Sequence, residues 1–324
     1  MKAAVLVSNQ NIIIEDRPIP KTDSYRNILL EMLYVGICGS DMPKYFGNRA
    51  KHLPVVLGHE CCGIVKEGPS YLFNKLVACI PMWYCSKCEN CREGNFQLCS
   101  NHEYMSSTMD GGMQQFYTIP EQFILDVNDL IENPQLAVLI EPAAVAVHAC
   151  ELIFDELHKN KNKKITIIGK GTIGLLVSLV LQKYVHIYPE QINIISYGDI
   201  YEVNSADYCF ECSGHVGGLN TAVEVTKYRG QILQLGIIYP EFFKEEELFI
   251  FDKLLRKEIN MQGTWNSDFR DDWAIAYKLI TNNMKDFNTL ISRVYLLDKV
   301  NEAFKEKQKD TGIIKTLINV GAII

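Results

Sequence analysis

Four cysteines lie close together in the chain, and their spacing constrains the fold more than any other feature. They follow the pattern C-x2-C-x2-C-x7-C within a polar stretch, at Cys85, Cys88, Cys91 and Cys99. Free core cysteines are the alternative explanation, but core cysteines have no reason to cluster among polar residues. Four thiolates suit tetrahedral zinc. Because protein ligands fill every coordination position, the spacing predicts a structural zinc with no place for water or substrate.

Size, charge and cysteine usage restrict the class of protein. The chain has 324 residues, 48% of them hydrophobic, which is enough for two domains with buried cores. Its formal net charge is −7, without a concentrated basic stripe, so nucleic acid is a poor partner. No uncharged apolar run approaches the roughly 18 residues of a membrane helix, and the apolar start at Met1–Val7 is too short for a signal-peptide core. We therefore expect a cytoplasmic protein with no membrane partner, where clustered cysteines favour metal over disulfides.

The hydrophobic pattern changes along the chain. The first part contains short apolar or alternating runs such as Ala3–Val7 and Ile28–Val35, which are typical of a β-rich, barrel-like domain. From about Leu136 the apolar segments lengthen, and Lys164–Gly169 is predicted to be a buried strand followed by a helix through Tyr184. Later strands are predicted at Ile192–Ser196, Tyr208–Cys212, Gln231–Gly236 and Ile313–Val320, and later helices at Leu219–Lys227, Phe249–Lys257, Asp271–Asn282 and Val300–Lys307.

A glycine-rich segment follows the first buried strand. It satisfies G-x-G-x-x-G at the start of a helix. The glycines permit a tight turn and a close approach of the backbone to a pyrophosphate, whose charge meets the helix N-terminus. The pattern alone is weak, and a plain turn is the alternative, but the strand before it and the helix after it favour a dinucleotide site. The expected contacts are Gly169, Gly171, Thr172, Ile173 and Gly174.

A second set of metal ligands is spread over the first half of the chain. Cys38 is followed by His59 and Glu60, and Glu141 lies in a polar island that interrupts an apolar stretch. Mixed sulfur, nitrogen and oxygen ligands, with one position left open, are typical of a catalytic zinc. Taken alone, His59-Glu60 could be an ordinary solvated pair at a strand end. Together with the four-cysteine lobe, the set favours a catalytic metal.

These motifs occur in the same order in the zinc-containing medium-chain alcohol dehydrogenases. The chain resembles that family, and within it the sorbitol and galactitol-1-phosphate types. The resembling segments are Gly36–Asp41, Leu53–Gly63, Cys85–Cys99, Ile140–Ala149, Gly169–Leu175 and Leu254–Trp265. The resemblance implies an α/β protein, with a GroES-like β-barrel catalytic domain at 1–142 and 265–324 and a Rossmann-type cofactor-binding domain at 143–264. It also implies a homodimer or homotetramer.

The resemblance implies a zinc-dependent oxidoreductase that interconverts a secondary alcohol of a polyol or polyol phosphate and the matching ketose with NAD(P). Cys38, His59 and either Glu60 or Glu141 would hold the catalytic zinc, so the chain would carry two zinc ions. Glu141 is also a candidate substrate contact.

Three further residues acquire roles from the same resemblance. Ser40 matches the hydroxyl that takes the substrate proton, and Asp41 matches a partner that orients His59. The histidine that ends the proton relay in simple alcohol dehydrogenases is replaced by Pro43, so the proton would leave through water or substrate hydroxyls. Lys44 stands where the galactitol-phosphate type also has a basic residue and could bind a phosphate. A solvated basic loop is the alternative.

The ribose end of the cofactor site departs from the NAD pattern. An acidic residue normally ends the second strand and binds the ribose 2′-hydroxyl, whereas here the strand ends at Ser196. A serine can donate to a 2′-phosphate, so the sequence leans toward NADP, although Asp199 could still supply the acid. At the nicotinamide end we expect the backbone around Ser213 and Gly236 to hold the ring.

The dinucleotide domain is short of residues. Only residues 197–207 separate Ser196 from the next clear strand, which starts at Tyr208. A parallel crossover needs about a dozen or more residues, and a full Rossmann half needs a further strand and helix here. We therefore predict a truncated sheet of five strands or fewer, which lacks a helix–strand–helix block at its edge, and a shallow adenine pocket.

Other classes of protein fit part of the sequence. A zinc-free reductase relative would lack the metal ligands found here. A non-catalytic relative would retain only structural zinc, and a zinc-binding family member could act on a simple alcohol. Measured zinc content separates the zinc-free relative and the non-catalytic relative from the catalytic hypothesis, because two zinc ions per chain fit only an enzyme with both sites.

Overall fold

The computed structural model describes residues 1–47, 49–160, 162–239 and 249–321. The strands are β1 (Lys2–Ser8), β2 (Asn11–Asp16), β3 (Ile28–Gly36), β4 (Val55–Val56), β5 (Glu60–Glu67), β6 (Leu76–Cys79), β7 (Met82–Trp83), β8 (Glu103–Tyr104), β9 (Phe116–Ile119), β10 (Ile124–Asp126), β11 (Ile165–Ile168), β12 (Ile192–Ile195), β13 (Ala206–Glu211), β14 (Thr226–Gln234), β15 (Asn260–Gly263), β16 (Ile291–Leu296) and β17 (Lys315–Asn319). The helices are α1 (Met42–Phe46), α2 (Glu89–Arg92), α3 (Ile140–Glu151), α4 (Phe154–Lys159), α5 (Thr172–Lys183), α6 (Val216–Val225), α7 (Phe249–Arg256), α8 (Asp271–Asn282), α9 (Met284–Asn288) and α10 (Val300–Lys309).

The chain divides into two units. The first unit comprises Met1–Glu141 and Phe269–Ile324, and the second comprises Pro142–Asp268. The first unit is rich in antiparallel strands, whereas the second contains a parallel sheet. This division places the two sets of metal ligands in the first unit and the glycine-rich segment in the second.

The largest sheet of the first unit has the strand order β10-β6-β5-β3-β17-β16, and β9 also pairs with β3. Strand β3 is central because alternate residues of it, Ile28, Leu30 and Met32, are fully buried. It runs antiparallel to β5, with Gly36 opposite Glu60. Two smaller sheets, β2-β1-β4 and β7-β8, complete this β-rich unit.

The second unit contains a five-stranded sheet in the order β12-β11-β13-β14-β15, and each of its pairings is parallel. Strand β11 is buried at every position, as expected where both faces of a parallel sheet are covered. Helix α6 packs against this sheet through an apolar core. That core includes Ile168, Ile195, Cys209, Val216, Leu219, Ala222, Val223, Val225, Ile232 and Ile250.

The predicted truncation is confirmed in the described part of the chain. A full Rossmann sheet has the order 3-2-1-4-5-6, and the observed order corresponds to 2-1-4-5-6, so β12 becomes the edge. Residues 196–205, which connect β12 to β13, contain neither helix nor strand. The side chains of Tyr197 and Ile200 in this connection are fully exposed. The shallow adenine pocket itself stays a prediction.

Most predicted elements occur with shifted ends. The amphipathic helix at Asp271–Asn282 is confirmed as α8. The helix predicted at Leu219–Lys227 was placed too late, because α6 spans Val216–Val225 and Thr226 already pairs with Ala206 at the start of β14. Strand β15 was not predicted, since its sequence Asn-Met-Gln-Gly has a single apolar residue and no alternation for a pattern to detect.

Candidate active site

Three side chains expected to bind the catalytic metal meet at one end of the β3–β5 pair. Cys38 follows β3 by two residues, His59 precedes β5, and Glu60 is the first residue of β5. Since Gly36 lies opposite Glu60, the antiparallel register brings these chain segments together. One ligand atom from each of the three residues lies within 4.8 Å of the others. The set supplies sulfur, nitrogen and oxygen donors, and it fits a zinc ion with an open coordination position.

The carboxylate of Glu60 lies in a space that Gly36 leaves free. A Cβ atom at position 36 would lie 2.2 Å from Glu60 Oε2 and 3.0 Å from a methyl group of Val138. A side chain at position 36 would therefore displace the carboxylate from its position near Cys38 and His59.

Glu60 also forms a buried ion pair that the sequence did not reveal. Lys315 Nζ donates to Glu60 Oε2 at 2.5 Å, and each side chain is 1% exposed. Burial alone would lower the pKa of Lys315, but the negative charges of Glu60 and Cys38 raise it above its usual value. The ammonium of Lys315 therefore compensates the buried charge of Glu60 through Oε2.

The second candidate carboxylate, Glu141, is buried at the beginning of α3. Burial raises its pKa to about 7, although the nearby charge of His59 acts in the opposite direction. In the described part of the chain, Glu141 lies outside the group formed by Cys38, His59 and Glu60. The charges of His59 and Glu60 also act on the pKa of Glu141, the first lowering it and the second raising it.

Two buried side-chain oxygens lie close to the Nδ1 atom of His59. Its Nδ1 lies 3.2 Å from Ser106 Oγ and 3.5 Å from Asp41 Oδ1. Asp41 also accepts the backbone N–H of Cys38 at 3.1 Å, so it connects two of the proposed ligands. Burial would raise the pKa of Asp41, but the adjacent charges of His59 and Lys44 lower it. Sequence reasoning identified Asp41 and missed Ser106, which is 47 residues from His59 and belongs to no motif.

The two other residues expected near the substrate lie in the same region. Ser40 occupies the turn Gly39–Asp41 and is partly exposed. Lys44 lies in α1, where its Nζ donates to Asp41 Oδ1 at 3.3 Å and to Ser106 Oγ at 3.0 Å. Its side chain is only 13% exposed, so its ammonium group is engaged within the protein.

The four-cysteine lobe also converges as predicted. The sulfur atoms of Cys85, Cys88, Cys91 and Cys99 all lie within 4.8 Å of one another. Backbone N–H groups point at these sulfurs: Cys85 receives them from Lys87 and Cys88, each at 3.4 Å. Backbone hydrogen bonds from Cys91 and Ser100 lower the pKa of Cys88 to about 6, which favours its thiolate form. Burial instead raises the pKa values of Cys91 and Cys99, so the convergence of the four sulfurs, and not their pKa values, is what fits a cation with four sulfur ligands.

In the second unit, the residues expected at the cofactor follow the carboxyl ends of neighbouring parallel strands, where ligands of doubly wound sheets bind. Gly169 follows β11, Ser196 follows β12, Ser213 comes two residues after β13, and Gly236 two residues after β14. Gly171 caps the N-terminus of α5, whose first residues are Thr172, Ile173 and Gly174.

Two of these glycines are required by the geometry. Gly169 has φ +107°, a backbone conformation that residues with a side chain rarely adopt. A Cβ atom added to Gly169 would lie 3.2 Å from the backbone nitrogen of Ser213. A Cβ on Gly174 would lie 1.9 Å from the carbonyl oxygen of Gly169, so only glycine lets the helix start this close to the strand. The open N-terminus of α5 fits a pyrophosphate.

Asp199 follows the end of β12 by four residues. It is the acid that the sequence analysis named as an alternative partner for the ribose 2′-hydroxyl. Its carboxylate accepts the backbone N–H of Ser196 at 2.8 Å and pairs with Lys170 at 3.0 Å. The hydrogen bond from the Ser196 backbone, followed by the bond and the charge of Lys170, lowers the pKa of Asp199. The connection therefore presents a carboxylate beside Ser196 and a lysine from the glycine-rich segment.

Comparison with known proteins identifies the family. A model of the alcohol dehydrogenase GroES-like domain matches residues 24–129, and a model of the zinc-binding dehydrogenase matches residues 196–282. Probable D-xylulose reductase A of Emericella nidulans is 27% identical over 354 residues, covering 97% of this chain and 95% of the relative. Galactitol 1-phosphate 5-dehydrogenase of Escherichia coli strain K12 is 26% identical over 327 residues, covering 90% and 92%. The crystal structure of galactitol-1-phosphate dehydrogenase from Escherichia coli superposes with a TM-score of 0.82 at 22% identity, covering 98% and 100%.

The chain therefore belongs to the zinc-containing medium-chain dehydrogenase/reductase family of oxidoreductases. The predicted combination of a GroES-like domain and a Rossmann-type domain is confirmed. Proteins of this family bind zinc and NAD(P). In the part of the chain that the structure describes, no helix has both the length and the apolar character to cross a membrane.

Proposed function

We propose that the protein is a zinc-dependent oxidoreductase that interconverts a secondary alcohol of a polyol and the matching ketose with NAD(P). The convergence of Cys38, His59 and Glu60, with ligand atoms within 4.8 Å, carries the proposal. Three protein ligands leave one coordination position for a substrate oxygen. The names of the relatives, D-xylulose reductase and galactitol 1-phosphate dehydrogenase, support a polyol as the substrate class.

The proposed catalytic zinc is held by Cys38, His59 and Glu60. Lys315 occupies Oε2 of Glu60, so Oε1 is the oxygen offered to the metal. Glu141 lies close enough to influence the charges of the set and is proposed to face the open position, where it contacts a substrate hydroxyl. A second zinc in the four-cysteine lobe has a structural role, because the lobe leaves no free coordination position.

When bound, the zinc would supply Lewis-acid polarisation of the alcohol oxygen, and NAD(P) would supply the hydride acceptor for the carbon that bears this oxygen. The chain's own residues orient the substrate and manage its proton. Ser40, in the turn that carries Cys38 and Asp41, accepts the hydroxyl proton of the substrate and passes it to water, since Pro43 offers no side chain that could relay it. Asp41 keeps His59 in the orientation in which Nε2 faces the metal.

A substrate screen tests the proposal. Purified protein is assayed for reduction of NAD and NADP with free polyols, their phosphates and simple alcohols. We expect turnover of at least one polyol or polyol phosphate at a rate well above that of any simple alcohol. Oxidation of simple alcohols alone would show that the substrate class is wrong, and no oxidation of any alcohol would favour the non-catalytic alternative.

The choice between NAD and NADP is proposed to depend on Asp199. The hydroxyl of Ser196 and the ammonium of Lys170 favour a 2′-phosphate, whereas the carboxylate of Asp199 repels it and accepts the Ser196 N–H that could otherwise bind it. We expect Asp199→Asn to increase kcat/KM for NADP relative to that for NAD by about tenfold, since a close like charge in a partly solvated site costs about 1 kcal/mol or more. Steady-state kinetics with both cofactors measure this ratio. An unchanged ratio would exclude Asp199 as the determinant.

We propose a cytoplasmic location, because the converging sulfurs of the four-cysteine lobe are interpreted as metal ligands and not as disulfides. We also propose that the protein assembles as a homodimer or homotetramer.

A further inference from the structure

A buried cluster of Asp41, Lys44, His59 and Ser106 lies behind the proposed catalytic zinc site. Asp41 and Ser106 are 0% and 1% exposed, and His59 is 3% exposed. Every polar side-chain group in the cluster has a partner within it, at distances from 3.0 to 3.5 Å. The four side chains thus form one connected hydrogen-bonded unit, which Asp41 links to the backbone of Cys38. The unit contains two residues, Ser106 and Lys44, that the zinc chemistry has not used.

Ser106 is the nearest partner of His59. If Nε2 of His59 faces the metal, Nδ1 carries the proton and donates it to Ser106 Oγ at 3.2 Å, which is closer than Asp41 Oδ1 at 3.5 Å. Ser106 Oγ in turn donates to Asp41 Oδ1 at 3.5 Å. The histidine therefore reaches the carboxylate mainly through the serine hydroxyl, and this chain fixes both the tautomer and the orientation of the ring.

Lys44 completes the cluster from the other side. Its ammonium donates to Ser106 Oγ at 3.0 Å and to Asp41 Oδ1 at 3.3 Å. Because His59 Nδ1 and Lys44 Nζ both donate to Ser106 Oγ, the serine hydroxyl directs its own proton at Asp41 Oδ1. The ammonium of Lys44 also balances the buried negative charge of Asp41. The two bonds of Lys44 leave a single N–H of the ammonium for a substrate phosphate, on a side chain that is only 13% exposed.

The backbone at Ser106 supports a dedicated role for its side chain. Its φ is +62°, in the left-handed region that glycine adopts at no cost and that other residues adopt with strain. The backbone conformation at position 106 therefore does not favour serine over glycine. The hydroxyl of Ser106 is the part of the residue that contacts Asp41, Lys44 and His59.

We propose that Ser106 and Lys44 are positioning residues that hold His59 in its zinc-binding orientation, and that Lys44 is not the contact for a substrate phosphate. This inference rests on the proposed function, since it needs a metal at Cys38 and His59. Under this inference, the orientation of His59 depends on Ser106, which lies 47 residues further along the chain.

The test compares zinc retention in the unmodified chain with zinc retention in three variants, Ser106→Ala, Ser106→Gly and Lys44→Met. Ser107→Ala and Lys21→Met are the matched controls, because they remove a neighbouring hydroxyl and an exposed ammonium outside the cluster. Each protein is equilibrated with increasing chelator, and bound zinc is counted by elemental analysis. The four-cysteine lobe serves as the internal reference within each chain.

We expect the three cluster variants to lose the zinc of the Cys38 site at a chelator concentration about 10-fold to 100-fold lower than the unmodified chain does. Loss of this size is typical when a hydrogen-bond partner of a metal-bound histidine is removed. The controls should behave like the unmodified chain. Ser106→Gly relieves the strained φ, so without zinc it should melt at or above the temperature of Ser106→Ala, while its zinc affinity stays low. That combination separates positioning of His59 from a general loss of stability.

Two results would overturn the inference. Zinc retention in Ser106→Ala and Lys44→Met equal to that of the unmodified chain would show that the cluster does not support the metal. A raised KM for polyol phosphates alone in Lys44→Met, with zinc retention intact, would show that Lys44 binds substrate. If the unmodified chain binds zinc only in the four-cysteine lobe, the proposed function fails and this inference fails with it, which is distinguishable from the first two results.

Discussion

Replacing Cys38 by serine should lower kcat by at least about a thousandfold while leaving the fold intact. The sulfur is one of three proposed ligands, and loss of the metal removes several kcal/mol of stabilisation from the transition state, at about 1.4 kcal/mol per tenfold in rate. The fold should survive because Cys38 is partly exposed and lies in the turn after β3, outside the apolar core. Steady-state kinetics and circular dichroism on the same preparation measure both parts.

Cys150→Ala provides the matched control for this variant. Cys150 is a fully buried free cysteine on α3 and belongs to neither ligand set. Its replacement should change stability slightly and leave the rate per folded molecule close to that of the unmodified chain. Normal activity in Cys38→Ser would exclude Cys38 as a ligand of a catalytic metal.

The second large effect should come from Lys315, whose removal leaves the buried carboxylate of Glu60 without its charged partner. Breaking a buried ion pair in this way typically costs about 3–5 kcal/mol. We therefore expect Lys315→Met to destabilise the first unit by about that amount, measured by urea denaturation of chelator-treated protein so that metal binding does not contribute. The double variant Lys315→Met with Glu60→Gln should recover much of the loss, because no uncompensated charge remains.

An exposed pair gives the comparison. Lys66 and Glu31 form an ion pair at 2.8 Å, with each side chain 38% exposed. Solvent and salt weaken such pairs, so Lys66→Met should cost less than about 1 kcal/mol. If Lys315→Met were no more destabilising than Lys66→Met, Lys315 would not be neutralising a buried charge.

The sequence predicted those parts of the site that depend on local patterns. The four cysteines lie within one short lobe, so their spacing identified them. The glycines at 169, 171 and 174 form a pattern that is weak alone, and the buried strand before it and the helix after it made it informative. The truncated sheet was predictable because a parallel crossover has a minimum length that residues 197–207 do not provide.

The parts that could not be predicted depend on long-range contacts. Lys315 reaches Glu60 across 255 residues, and Ser106 reaches His59 across 47, and neither is preceded or followed by a pattern that marks it. Lys44 was a candidate contact for a substrate phosphate because the galactitol-phosphate type also has a basic residue there, with a solvated loop as the alternative. Its bonds to Asp41 and Ser106 depend on the folded chain and could not be predicted from the sequence. Short, polar strands such as β15 are missed for the related reason that their partners, and not their own residues, hold them in a sheet.

The most direct test of this account is the zinc content per chain of the unmodified protein and of Cys38→Ser, measured by elemental analysis on the same day and on purified, folded protein. Two separate ligand sets converge in the first unit, one from Cys38, His59 and Glu60 and the other from the four-cysteine lobe. We expect close to two zinc ions in the unmodified chain and close to one in the variant. One zinc ion in both proteins would contradict the catalytic site and leave only the structural lobe.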